Sequence, residues 1–313
     1  MSNRSLLSTV FLTLSATVLL ACQKADEQDA VAADPSPANE NRIVYAVNYP
    51  LAWMAQFIGD DAVVVELPVP EGVDPAHWSP SPDVVLDYQG ADLVLLNGAG
   101  YAEWIQFASL SPGKVVDTSR GLEGRFVAGG EVVHAHGAGG EHEHGNVASH
   151  TWLDPTLAMQ QASSVAGALS TLLPSREAEF QQRLDALQTE LRELDQGLES
   201  AFAGWQGVGV LYSHPVYQYL DARYELKGTA LPWEPGEDPG AAEWERLGSI
   251  LAEQPAAVML WEGEPLPVTA ERLRALGVEP VVFETGAVRP TEGDYMTLMN
   301  KNLERVVALE PQS

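Results

Sequence analysis

The sequence predicts an α/β protein of two (βα)4-type lobes with parallel sheets, joined by a long rigid connecting helix. Three observations predict it. Short apolar runs alternate with helical stretches in both halves of the chain, the pattern of parallel strands covered on two faces. Between the halves, residues 176–202 place Phe180, Leu184, Leu187, Leu191, Leu194 and Leu198 at spacings of three and four, which is one amphipathic helix. The 313 residues are 45% hydrophobic and 19% charged, enough apolar material for one large core or two ordinary ones.

In chain order, the folded part is expected to begin at residue 42. The β-branched run at 43–47 is a strand, 51–58 a helix, and AVVVEL at 62–67 a second strand. Ser81 caps, and Pro82 opens, a short helix over 82–88. ADLVLL at 91–96 is the third strand, 103–110 a helix, and 114–117 the fourth strand. An Ala- and Ser-rich helix spans 156–173, with Asp154 as its simplest N-cap. The amphipathic stretch that follows also fits a coiled-coil dimerisation helix, but it sustains fewer than four heptads and lies between two α/β halves, so a connecting rod is preferred. The second half repeats the plan, with strands at 208–212, 229–231, 256–261 and 281–283 and helices at 216–224, 241–253, 268–276 and 295–309. The expected division is therefore an N-terminal lobe at 42–173, a connector at 174–204 and a C-terminal lobe at 205–313.

The residues ahead of the lobes have a different character. Arg4 is followed by an apolar run from Leu6 to Leu20 broken only by Ser and Thr, which is a secretory signal over 1–21. It is too short and too rich in hydroxyls to read as a membrane span. The run ends in Leu19-Leu20-Ala21-Cys22, which resembles the bacterial lipobox; the resemblance implies that Cys22 is lipidated and anchors the chain to a membrane. Residues 22–41 are polar, acidic and contain Ala and Pro, as a flexible tether would. Cys22 is the single cysteine, so an intrachain disulfide and a thiolate metal cluster are both excluded. With 17 Lys and Arg against 44 Asp and Glu, the net charge of -27 excludes a nucleic-acid binder held by phosphate contacts. Any metal must sit on histidine and carboxylate.

Four of the seven histidines, His134, His136, His142 and His144, crowd into HAHGAGGEHEH with Glu131, Glu141 and Glu143 nearby. The glycines between them argue against a packed element, so 131–149 is read as a mobile, metal-philic loop rather than a merely hydrophilic insertion. The other three histidines are isolated. His214 stands where a strand ends and a helix begins, and such carboxyl-end loops of open parallel sheets are where ligands bind. His77 holds an equivalent place after the second strand, and His150 precedes the helix capped by Asp154. Glu284 directly follows the strand PVVF. One candidate ligand thus falls in each quarter of the fold, and three imidazoles with one carboxylate suit zinc.

These segments resemble the zinc- and manganese-uptake substrate-binding family of bacterial ABC importers over essentially the whole mature chain. SHTWLDP is similar to the family's His-x-Trp-Leu-Asp-Pro motif, which implies that His150 is a ligand. SHPVYQYLDARYEL is similar to its Ser/Thr-His segment leading into an aromatic helix, which implies the same for His214, and VVFETG occupies the place of its late acidic ligand, which implies Glu284. The first ligand departs from the pattern. The family has Asp-Pro-His, whereas here Ala76 intervenes between Pro75 and His77; either the loop absorbs the shift, or His77 supports the site and a water or another side chain completes it. The resemblance implies a non-enzymatic, monomeric, lipid-anchored extracytoplasmic receptor with its metal site in the interlobe cleft, delivering Zn²⁺ to an ABC permease. Mn²⁺ is the alternative cargo, and the His-rich loop favours zinc. Glu234 and Glu262, with Asp154, are the acids placed to support the ligands, unless they are turn and cap residues. Two other readings share these residues: a zinc chaperone or sensor without a transporter, and a zinc hydrolase with Glu234 or Glu262 as base, although no HExxH signature is present.

Overall fold

The computed structural model describes residues 42–129, 147–205 and 207–309, and the backbone alone of 133–136 and 140–143. The signal, Cys22, the tether and His144 lie outside the described residues.

The N-terminal lobe is built from β1 (Arg42–Ala46), α1 (Tyr49–Gly59), β2 (Val63–Glu66), α2 (Pro82–Gly90), β3 (Leu93–Leu96) and β4 (Val115–Asp117). Its sheet is parallel throughout, in the order β2-β1-β3-β4, with Val44 paired to Val65 on one side and Leu93 on the other. The backbone of β5 (Val133–His136) and β6 (Gly140–Glu143) follows, then α3 (Pro155–Leu172) and α4 (Glu177–Ala203). The C-terminal lobe comprises β7 (Val210–Tyr212), α5 (Gln218–Tyr224), β8 (Thr229–Ala230), α6 (Ala241–Glu253), β9 (Val258–Trp261), α7 (Pro267–Ala275), β10 (Glu279–Val282) and α8 (Tyr295–Val307). Its sheet is again parallel, in the order β10-β9-β7-β8. The α/β class and the two parallel four-stranded sheets agree with the sequence pattern.

Strand alternation explains why both faces are apolar. In β9, Val258 and Leu260 enter the core shared with the long helices, while Met259 and Trp261 enter a second cluster with Trp244, Leu247 and Leu273 beneath α6 and α7. In β1, Val44 and Ala46 face the large core and Tyr45 packs against the small cluster around Tyr88. The large core does not stop at the lobe boundary. It runs from Val44 and Leu95, through Leu187 and Leu191 of α4, to Leu260 and Phe283. α4 buries Phe180, Leu184, Leu187, Leu191, Leu194, Leu198 and Phe202 along 27 residues, a rod of roughly 40 Å at helical rise.

Two expectations are corrected. Residues 103–110 do not form an α-helix; only a 3-10 turn, Glu103–Phe107, appears, with Trp104 and Ile105 half-buried against the core and the rest exposed. Its start follows Ala102 in the left-handed region, and Pro112 stands close downstream, so too few residues remain to build a helix with a buried face. The His-rich segment, read as a mobile loop and not a packed element, has the backbone of two antiparallel strands over Val133–His136 and Gly140–Glu143, with His134 opposite His142 and His136 opposite Gly140.

Candidate metal centre

A cleft of about 1000 Å³ opens between the carboxyl ends of the two sheets, lined among others by Asp74, His77, Tyr101, His150, His214, Glu234 and Glu262. His214 follows β7 by two residues. The ladder continues past the strand end to hold it: Ser213 N–H donates to Leu260 O at 2.8 Å, and Trp233 N–H donates to Ser213 O at 2.7 Å. The imidazole is 5% exposed, and its Nδ1 lies 3.0 Å from Glu234 Oε1. Glu262 completes the group, since ligand atoms of His214, Glu234 and Glu262 all lie within 4.8 Å of one another. Each acid directly follows a tryptophan, Trp233 or Trp261, whose indole is buried in the cluster beneath α6. Anchoring the aromatic on that side leaves the next residue to the cleft.

The charges of this group are coupled. Desolvation lowers the His214 pKa, but the hydrogen bond that the ring donates to Glu234 and the charges of Glu262, Glu234 and Asp74 outweigh it and leave the imidazole above its ordinary range. Burial pushes Glu262 up to about 7, with the positive His214 opposing and Glu234 and Asp74 reinforcing. Several oxygen and nitrogen donors that repel or share protons when alone are poised for a cation.

On the N-terminal side, His150 is 7% exposed, with Ser149 Oγ 3.4 Å from its Nδ1 and its ring packed against Trp152 and edge-on to Tyr101. Its neighbours are pinned by Asn97, whose Nδ2 donates to Ser149 O at 2.8 Å and whose Oδ1 accepts from Thr151 Oγ1 at 3.2 Å. Gln161 of α3 donates to the same Oδ1 at 3.1 Å. Asp154 caps α3 by accepting from Thr156 N at 2.8 Å and pairs with Arg125 at 2.7 Å. His77 sits exposed at the rim, in a turn where its N–H donates to Asp74 O at 3.3 Å.

Glu284 is not brought to this group, which corrects its placement from the sequence. Its carboxylate accepts from Arg305 Nη1 at 3.2 Å, and its backbone is held by Asn302, so it faces α8 rather than the cleft. The acids beside His214 are Glu234 and Glu262. Asn97, Gln161 and Tyr101 were not marked by sequence reasoning. A polar amide directly after the apolar strand at 91–96 is the one signal that points to Asn97.

Two parallel-sheet lobes sharing one core, with imidazoles and carboxylates gathered at their facing carboxyl ends, define a metal-receptor type of solute-binding protein. The zinc-uptake complex component A periplasmic family, ZnuA, matches residues 44–309, and the chain belongs to that family. It is 25% identical over 268 residues to the high-affinity zinc uptake system protein ZnuA of Bacillus subtilis, covering 82% of this chain and 83% of that one. The zinc-binding lipoprotein AdcA of Streptococcus pneumoniae is 23% identical over 310 residues; 95% of this chain is covered but only 60% of that relative. The manganese ABC transporter substrate-binding lipoprotein PsaA of Streptococcus mitis is 24% identical, with 96% and 97% covered. Among solved structures, the metal-dependent lipoprotein YcdH of Bacillus subtilis shares the fold at a TM-score of 0.72 and 22% identity, covering 85% of this chain and 97% of that one. The Zn(II)-bound ZnuA-like domain of Streptococcus pneumoniae AdcA does so at 0.70 and 21%, covering 84% and 97%.

Proposed function

We propose that the protein captures Zn²⁺ in the interlobe cleft and delivers it to the permease of an ABC-type metal importer. The observation that carries this reading is the contact of His214 with Glu234, with Glu262 in reach, across the cleft from His150 and His77. His77, His150 and His214 with a carboxylate from Glu234 or Glu262 make a nitrogen-rich set suited to zinc. Asn97 and Asp154 hold the His150 segment in register. The N-terminal lobe at 42–173 and the C-terminal lobe at 205–313 form the two walls of the cleft, with 174–204 as their brace. Cys22 carries the lipid, residues 22–41 tether the receptor outside the cytoplasm, and it works as a monomer. His134, His136, His142 and His144 serve as an auxiliary zinc-gathering segment. Membership of a solute-binding family supports binding rather than general-base roles for the cleft acids.

Manganese is a second reading, because Asp74, Glu234 and Glu262 bring three carboxylates to one cleft, and hard oxygen donors suit Mn²⁺. Metal analysis and competitive titration with both ions test the proposal on the wild type, His150→Ala, His214→Ala and a deletion of residues 134–144. One tight zinc that survives the deletion and is lost with either histidine is the expected result. Tight binding that vanishes with the deletion alone, or persists without both histidines, sinks it, and preference for Mn²⁺ selects the second reading.

A further inference from the structure

We propose that the Tyr101 hydroxyl positions the capture loop: on metal loading it donates a hydrogen bond to the Asp74 carboxylate and so fixes the turn that carries His77 over the cleft. This rests on the metal-capture reading above.

Tyr101 is 7% exposed, and its hydroxyl is fully buried with no hydrogen-bond partner among the described residues. An orphaned buried hydroxyl is destabilising, and phenylalanine would fill the same space against His150 and Trp152 without that cost. The position of the donor is also expensive to hold. Gly98, Ala99, Gly100 and Ala102 all have positive φ, and for the two alanines that conformation is strained. Gly98 cannot be replaced cheaply, since a Cβ there would meet Asp117 Oδ1 at 2.4 Å. The loop base is fixed by Asn97, and Tyr101 N–H donates to Gly98 O at 3.0 Å. A rigid, strained loop thus presents a donor with nothing to donate to.

Asp74 lines the same cleft as Tyr101 and stands in the turn that carries His77. Burial raises the Tyr101 pKa most, and the Asp74 charge adds to it. The same charge reaches His214 and Glu262 from the opposite lobe, so Asp74 looks into the cleft. Asp74 Oδ1 accepts from Ala76 N–H at 2.9 Å, which leaves lone pairs for a second donor. The turn that carries Asp74 and His77 is exposed at the rim of the cleft. A divalent cation taken by His77 draws that turn inward and brings the Asp74 carboxylate to the waiting hydroxyl.

The test is a double-mutant cycle on the full chain with Tyr101→Phe, Asp74→Ala and both, reading Zn²⁺ affinity by chelator competition and the Tm of the metal-free form. Y101F is expected to weaken zinc about tenfold, the scale of groups that orient ligands, while leaving the metal-free Tm unchanged or raised. In the D74A background the same substitution has no further effect on affinity. Wild-type affinity in Y101F overturns the proposal, as does a tenfold loss that persists in D74A, or a metal-free Tm lowered by removing the hydroxyl. Failure of the wild type to bind zinc would instead overturn the capture reading itself.

Discussion

Glu262 shows how one side chain ties binding to pH. Desolvation first, then the neighbouring acids, put its pKa at about 7 against the opposing pull of His214, and His214 itself is raised. A cation held, as proposed, by His214 and the neighbouring acids displaces these protons, so affinity is expected to be fullest above pH 7 and to fall as pH drops below it, by about tenfold per unit for each proton displaced. Zinc titrations between pH 8 and pH 5.5 check this, and a flat profile contradicts it. The sign for stability is opposite. A carboxyl held above its unfolded value favours folding at low pH and loses that contribution as pH rises through 7. Glu262→Gln is therefore expected to raise the metal-free Tm at pH 8 and leave it unchanged at pH 4, while weakening zinc and flattening its pH dependence. Glu284→Gln, whose partner is Arg305, is expected to leave zinc affinity unchanged. Equal losses from both variants would return Glu284 to the ligand set.

The long helix α4 carries, besides its apolar stripe, one buried acid. Asp195 is 7% exposed and accepts from Arg223 Nε at 2.9 Å, Arg223 Nη2 at 2.7 Å and Tyr224 Oη at 3.0 Å, fixing α5 and hence the segment that follows His214. Removing one partner of a buried pair costs about 3–5 kcal/mol, so Asp195→Ala should lose that much in urea unfolding. A loss below about 1 kcal/mol would mean that the pair behaves as a surface one. Elements with a cap and a clear period were legible in the sequence: 241–253 is α6 residue for residue, and Ser81-Pro82 marks the start of α2. The 3-10 turn Glu103–Phe107 was not, because its composition suits a helix while the left-handed Ala102 and the short run before Pro112 do not. In the His-rich segment, glycine content outweighed the alternation of HAH and HEH, which is the spacing that paired backbones share. That His77, His150 and His214 fall on one cleft was legible, because isolated histidines are scarce and these stand at strand or helix ends. That Glu262 and not Glu284 stands beside His214 was not, since both follow an aromatic at the end of an apolar run, and the difference is Arg305, which only the folded chain brings alongside.

At the scale of the molecule, the two lobes are bound by more than the connector. Their shared core runs continuously through α1, α3, α4 and α8. Polar ties cross the same boundary: Trp152 Nε1 donates to Thr285 O at 2.7 Å, Tyr295 Oη to Trp152 O at 3.2 Å, Tyr49 N–H to Ala287 O at 3.1 Å and Trp53 Nε1 to Asp294 Oδ2 at 3.3 Å. A rocking motion of tens of degrees would expose this apolar seam and orphan these groups together, at a cost that one cation's contacts do not offset. Capture must then proceed by local movement of rim segments such as the Asp74–His77 turn, with the lobes as a fixed frame. Spin labels on Leu86→Cys in α2 and Val268→Cys in α7, both exposed positions, in a Cys22→Ser background, report the frame directly. Zinc is expected to change their separation by less than about 2 Å, the range of pre-organised receptors. A second pair, with one label moved to Val73 on the capture loop, should shift toward the C-terminal lobe under the same conditions. If the first pair moves as much as the second, the lobes rotate as bodies, and the continuous core does not act as a brace.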